Sequence, residues 1–140
     1  MVKKLIKTKV FSLLFLCLFS VLETHAQAEF ITTWQTTTAN ESITIPTFGG
    51  GYNYTVDWGD GTTDVTVYVG DASHVYVTAG TYTVTITDNS GAGTGFPRIY
   101  FNNSGDKTKI VSVEQWGTGK WTSFFAAFFG ATNLVVNATD

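Results

Sequence analysis

Short runs of alternating apolar and polar residues recur through the middle of the chain. "SITI" puts Ile43 and Ile45 on one face. "YNYTVDW" puts Tyr52, Tyr54, Val56 and Trp58 on one face, with Asn53, Thr55 and Asp57 on the other. "DVTVYV" groups Val65, Val67 and Val69, and "YTVTIT" groups Tyr82, Val84 and Ile86 against outward threonines. "RIYF" and "KIVSV" add two further short runs. Alternation of period two is the pattern of a strand with one face buried.

Turn-forming stretches separate these runs: "FGGGY", "GDGT", "VGDAS", "TAGT", "NSGAGTGFP" and "NNSGD". Six or seven short strands at this spacing predict an all-β, antiparallel sandwich, and the threonine-rich outer faces fit sheets wet on one side. Ser90–Gly95 reads as a loop between strands, too short to hold separate domains apart. After Ser112 the pattern changes. Phe124, Phe125, Phe128 and Phe129 fall at i, i+1, i+4 and i+5, which predicts a short C-terminal helix. Thr122 or Ser123 would cap it and Gly130 would end it.

The first residues have another character. Lys3, Lys4, Lys7 and Lys9 precede an apolar run, Val10–Leu22, followed by "ETHAQA". Basic, apolar and small segments in that order predict a secretory signal peptide over residues 1–28, with cleavage after Ala26 or Ala28. The apolar run is too short to span a bilayer of about 30 Å, so the protein is not expected to be membrane-spanning. The one cysteine, Cys17, lies inside that run, and "LLFL" before it lacks the small residue of a lipidation site. The exported region is then cysteine-free and must be held together by packing alone. Removing the leader leaves four basic against ten acidic side chains, net −6. Such a domain repels phosphate backbones, and no nucleic-acid partner is expected.

The densest candidate chemistry is "VDWGDGTTD". Asp57, Asp60 and Asp64 are the candidate Ca2+ ligands, but calcium takes six to eight oxygens and no Asp-x-Asp-x-Asp-Gly loop is present. A hairpin turn also offers no cleft for a glycosidase carboxylate pair. The preferred reading is a turn in which Asp60 binds backbone N–H groups and Gly59 and Gly61 take positive φ. His74 is the lone histidine after the leader. It has no soft ligands for zinc and no Gly-x-Ser-x-Gly nucleophile for a triad. Neither "GAGTG" nor "GTGKWT" matches a nucleotide fingerprint, because no helix pattern follows the first and Trp121 replaces the Ser or Thr of the second. Sequons occur at Asn40, Asn53, Asn102 and Asn137. Trp34, Tyr68, Tyr100 and Trp121 are candidate rings for stacking on a glycan, with burial the alternative. No catalytic, metal or cofactor site is expected.

Trp58-Gly59-Asp60-Gly61-Thr62, then His74-Val75-Tyr76, then Ala79-Gly80-Thr81-Tyr82-Thr83-Val84 form an ordered series. It resembles the polycystic-kidney-disease (PKD) domain, an immunoglobulin-like sandwich of extracellular proteins. The likeness runs over roughly Ile31–Val113 and is strongest from Tyr54 to Ile86. The aromatic that this family places between the tryptophan and the glycine is absent, since Trp58 abuts Gly59. The resemblance implies structural roles for Trp58, Gly59, Asp60, Gly61, His74, Tyr76, Gly80 and Tyr82, with Tyr82 in the setting of a tyrosine corner.

The tail, Trp121-Thr122-Ser123-Phe124 and Phe128-Phe129-Gly130-Ala131-Thr132-Asn133-Leu134, resembles the start of a BspA-like leucine-rich repeat of bacterial surface proteins. The expected organisation is a signal peptide at 1–28, a PKD-like sandwich at 29–113 and a partial repeat at 114–140. A single repeat cannot close its own core, which suggests a fragment of a longer protein. The function implied is a non-enzymatic spacer or adhesion module of a secreted or cell-surface bacterial protein, meeting a protein or glycan. The alternative is a polysaccharide-binding module beside a secreted hydrolase.

Overall fold

The computed structural model describes residues 28–140. The expected signal peptide and its cleavage choice fall almost wholly on residues outside that range. Seven strands follow in chain order: β1 (Phe30–Thr36), β2 (Glu41–Ile45), β3 (Tyr54–Asp57), β4 (Ala72–Tyr76), β5 (Gly80–Asp88), β6 (Ile110–Gln115) and β7 (Val135–Val136). They form a five-stranded sheet in the order β3-β5-β1-β6-β7 and a two-stranded sheet, β2-β4. The architecture is all-β and consistent with an immunoglobulin-like sandwich.

Alternation decides which side chains enter the core. Ile43 and Ile45 from β2 and Ala72 and Tyr76 from β4 point inward. They join Trp34, Tyr54, Val56, Val84, Ile86, Ile110 and Val113 of the larger sheet in one apolar cluster. Trp58, just past β3, is fully buried in it. β1 lies at the centre of the larger sheet, antiparallel to both β5 and β6. Its inward positions are Phe30, Thr32, Trp34 and Thr36. The buried threonines are satisfied: Trp34 Nε1 donates to Thr32 Oγ1 at 2.8 Å within β1, and the Gly80 N–H of β5 donates to Thr36 Oγ1 at 3.1 Å.

Three expectations fail here for physical reasons. "DVTVYV" forms no strand; Tyr54 and Tyr68 make an isolated bridge, and Val65, Val67 and Val69 remain exposed. Asp64 folds back on its own chain, accepting from the Thr66 N–H at 2.9 Å, which interrupts a ladder at its start. "RIYF" also stays irregular, tied by the Tyr100 N–H to the Pro46 carbonyl at 3.0 Å. The C-terminal helix over Phe124–Phe129 does not form. Ala126 has φ of 56°, in the left-handed region, and Phe124–Gly130 is a succession of turns. The Ala126 and Ala127 main chain is instead spent on the neighbouring loop, where Asn102 N–H and Phe101 N–H donate to their carbonyls.

A left-handed alanine costs roughly 1–2 kcal/mol relative to glycine. Ala126→Gly is therefore expected to stabilise the protein by about 1 kcal/mol in urea denaturation. A helix at this place would give a destabilisation of about 1 kcal/mol.

Candidate functional site

The turn after β3 is built from its three aspartates, each spent on a different short loop. Asp57 Oδ1 accepts from the Gly59 N–H at 2.9 Å. Asp60 Oδ1 accepts from Thr62, at 3.0 Å from the backbone and 2.6 Å from the hydroxyl. Its other oxygen meets His74 Nε2 at 2.7 Å. Asp64 Oδ2 accepts from Trp58 Nε1 at 2.9 Å and from the Tyr68 hydroxyl at 2.7 Å. Among the described residues no three acidic, histidine or cysteine side chains converge as a metal site would require. The carboxylates proposed for calcium thus face protein donors rather than one another.

Gly59 is where the backbone demands glycine. Its φ is +73°, and a Cβ there would stand 2.1 Å from the Thr83 carbonyl oxygen on β5. Gly61 has φ of +81° but only open space around it. The tight approach at Gly59 seats the preceding Trp58 under the sheet. From Trp58 a series of rings runs across the fold. His74 stacks on Trp58 at 5.1 Å, Tyr76 meets His74 edge-on at 4.7 Å, and Tyr82 stacks on Tyr76 at 3.9 Å. Tyr76 hydroxyl donates to the Trp58 carbonyl at 2.9 Å. Tyr82 hydroxyl donates to the Thr78 carbonyl at 2.7 Å, the upstream backbone bond of a tyrosine corner. Gly80 leaves room for that ring: a Cβ would lie 3.3 Å from it. Trp58, Gly59, Asp60, Gly61, His74, Tyr76, Gly80 and Tyr82 therefore occupy one connected region.

The profile of the PKD domain matches residues 22–101, 80 of the chain's 140 residues. The chain belongs to the PKD-domain family. Neither the curated proteins nor the solved structures give a significant match.

Within this PKD domain the acid–base properties suit a structural turn. Partial burial pushes Asp60 upward, but bonds from Thr62 and His74 outweigh it and hold the carboxyl at about 2. Burial likewise raises Asp64, and the donors Tyr68, Trp58 and Thr66 more than reverse it, leaving it well below the usual range. Both groups stay ionised at neutral pH and accept hydrogen bonds; neither is poised to deliver a proton. An open concavity of about 370 Å³ lies beside the turn, lined by Thr55, Asp57, Thr62, Thr63, Asp64 and Thr87 among others. His74 is not among its lining residues, being stacked on Trp58 and met edge-on by Tyr76. Ser73 points to the other face of β4, bonded to Thr44 Oγ1 at 2.8 Å.

The four candidate stacking rings are scattered. Trp34 is only 1% exposed and must be withdrawn: a ring inside the core presents no face to a sugar. Tyr68 is half-buried on Tyr54. Trp121 is half-buried, edge-on to Phe30 and stacked on Phe124. Tyr100 is half-buried beside Phe48, their ring centres 4.6 Å apart, and beneath Arg98. Sequence reading missed Phe48 and Arg98 as members of this last group. The signal for Arg98 was present, because period two in "RIYF" puts it on the same side as Tyr100.

Gly59→Ala is expected to destabilise by roughly 3 kcal/mol or more, and Gly61→Ala by only about 1 kcal/mol, since strain is shared but the clash is not. Chemical denaturation of the pair measures the difference. Asp60 has a folded-state value of about 2 against an ordinary value of 3.8. A depressed carboxyl stabilises fully above the ordinary value, and that contribution is lost as pH falls from about 4 through about 2. Asp60→Asn should be less stable at pH 7, and its stability should fall less steeply across that interval in pH-dependent melts.

Proposed function

We propose that the chain is a non-catalytic spacer and adhesion module of a secreted or surface-anchored bacterial protein, and belongs to a longer polypeptide. In this reading its PKD sheet carries the first turn of a BspA-like repeat. PKD domains are generally extracellular adhesion and spacer modules, which supports an extracellular setting. Among the described residues no helix is long and apolar enough to cross a membrane.

One observation carries the repeat half of the proposal. β6 is antiparallel to β1 on one edge and parallel to β7 on the other. The parallel register joins Ser112 to Val135 and Val113 to Val136, a fixed offset of 23 residues. The connection between them is a loop of turns folded beside the sheet. One strand–loop–strand return in parallel is the unit that a solenoid would stack, which supports this reading. Asp140 ties the coil to its predecessor, accepting from the Trp116 and Gly117 N–H groups at 3.1 and 2.9 Å.

Appending two further copies of residues 118–140 to the full chain tests this. The expected result is a single cooperative melt at higher temperature, with the added segments resistant to protease. Added segments that stay protease-sensitive and leave the melting temperature unchanged would sink the proposal.

A further inference from the structure

Away from the motif turn, one surface combines a cation lacking a carboxylate partner with exposed aromatic faces. The described chain has four Lys and Arg residues: Arg98, Lys107, Lys109 and Lys120. Lys109 is held by Glu41 at 3.1 Å and Asp106 at 2.9 Å. Arg98 has no carboxylate within ion-pair distance among the described residues. Its guanidinium instead lies 4.3 Å from the Tyr100 ring centre and 5.0 Å from that of Phe48. Nη2 donates to the Phe125 carbonyl at 3.0 Å. Nε is buried without a hydrogen-bond partner, and Nη1 is bonded to no described residue. Phe48 is 58% exposed, and Phe125, whose carbonyl meets Arg98, is 75% exposed.

The patch is held in shape from below. The buried Tyr52 places its hydroxyl between the two segments that carry it. That oxygen accepts from the Phe48 N–H at 3.0 Å and lies 3.2 Å from the Phe48 carbonyl and 3.0 Å from the Arg98 carbonyl, donating to one of them. Asp71, the acidic residue bonded to this loop, is already engaged by the Thr47 N–H and hydroxyl at 2.7 and 2.6 Å. Displaying a phenylalanine on a glycine-rich loop loses apolar burial worth roughly 2 kcal/mol. Fixing its backbone as well makes the display a built feature.

We propose that Phe48, Arg98, Tyr100 and Phe125 form a binding site for a carboxylated polysaccharide, one bearing uronate sugars. The proposal rests on the adhesion half of the function above and names its ligand class. A pyranose ring offers an apolar C–H face to an exposed aromatic ring, and Arg98 Nη1 donates a charge-assisted bond to the sugar carboxylate. The guanidinium is already oriented by its two flanking rings, so little rotamer freedom remains to be lost on binding. The net charge of the exported region opposes an anion at long range. Screening over about 8 Å at physiological salt leaves the local guanidinium to decide the contact. An acidic peptide would satisfy Arg98 but brings no rigid apolar ring face for Phe48.

Native affinity electrophoresis of the full chain in polygalacturonate tests the site, with fully methyl-esterified polygalacturonate and poly-glutamate as controls. Retardation is expected in polygalacturonate alone. Arg98→Ala and Phe48→Ala should each weaken it about tenfold, or about 1.4 kcal/mol. Tyr52→Phe should weaken it several-fold while leaving every contact atom in place, which marks Tyr52 as a positioning residue. If Arg98→Ala does not fold, Arg98→Lys decides: a several-fold loss supports the site and unchanged affinity overturns it. No retardation, equal retardation by the neutral ester or by poly-glutamate, or a folded Arg98→Ala that binds unchanged would each overturn the proposal. None of these outcomes bears on the repeat, which the appended copies test separately.

Discussion

The constraint on which the rest of the sheet depends is the approach of Gly59 to the carbonyl of Thr83. A small sheet without disulfides among its described residues depends on how completely its aromatic side chains are enclosed. The turn at Gly59 does the enclosing. With no Cβ, the chain leaving β3 lies directly on β5, and Trp58 is driven fully into the core. The buried ring then acts as a floor for His74, and its carbonyl receives the Tyr76 hydroxyl. β4, which belongs to the smaller sheet, is thereby fastened to the edge of the larger one. A side chain at position 59 would loosen strand, tryptophan and inter-sheet contact together.

The same geometry explains how a segment so rich in carboxylates spends them. Each aspartate accepts bonds from groups within seven residues of its own position, with His74 the one distant donor to Asp60. Ionised carboxylates are good acceptors for N–H and O–H groups that a tight turn would otherwise leave unpaired. The depressed proton affinities of Asp60 and Asp64 are the thermodynamic counterpart of that service. A catalytic pair would show the opposite arrangement, with one group raised by a like charge or an apolar wall.

Most of the sandwich was legible because its apolar residues alternate: β2, β3 and β5 are visible in Ile43/Ile45, Tyr54/Val56 and Val84/Ile86. β1 was not, although it is the central strand. Two of its inward positions are Thr32 and Thr36, polar side chains that break the apolar alternation, and the Thr36 hydroxyl meets the Gly80 N–H only when β5 lies alongside. β7 has just two exposed valines, and nothing local distinguishes it from a loop. The phenylalanine spacing misled for a related reason. It matched a helical face, but a helix over those residues would forgo the carbonyl acceptors that the Phe101–Asn103 loop takes from Ala126, Ala127 and Phe129. Of the candidate ligand-facing rings, only exposure could separate Trp34 from Tyr100, and exposure depends on strand order that periodicity does not supply.

The strand β6 shows how the sandwich and the tail are joined. It runs from Ile110 to Gln115, across the position where sequence reading placed a boundary. There is no linker at that point, because one strand serves both sides through its two edges. Any force along the chain from β7 therefore enters the sheet through hydrogen bonds to β6 and leaves through those to β1. Exposed Val135 and Val136 lie on β7, the outermost strand of this sheet among the described residues.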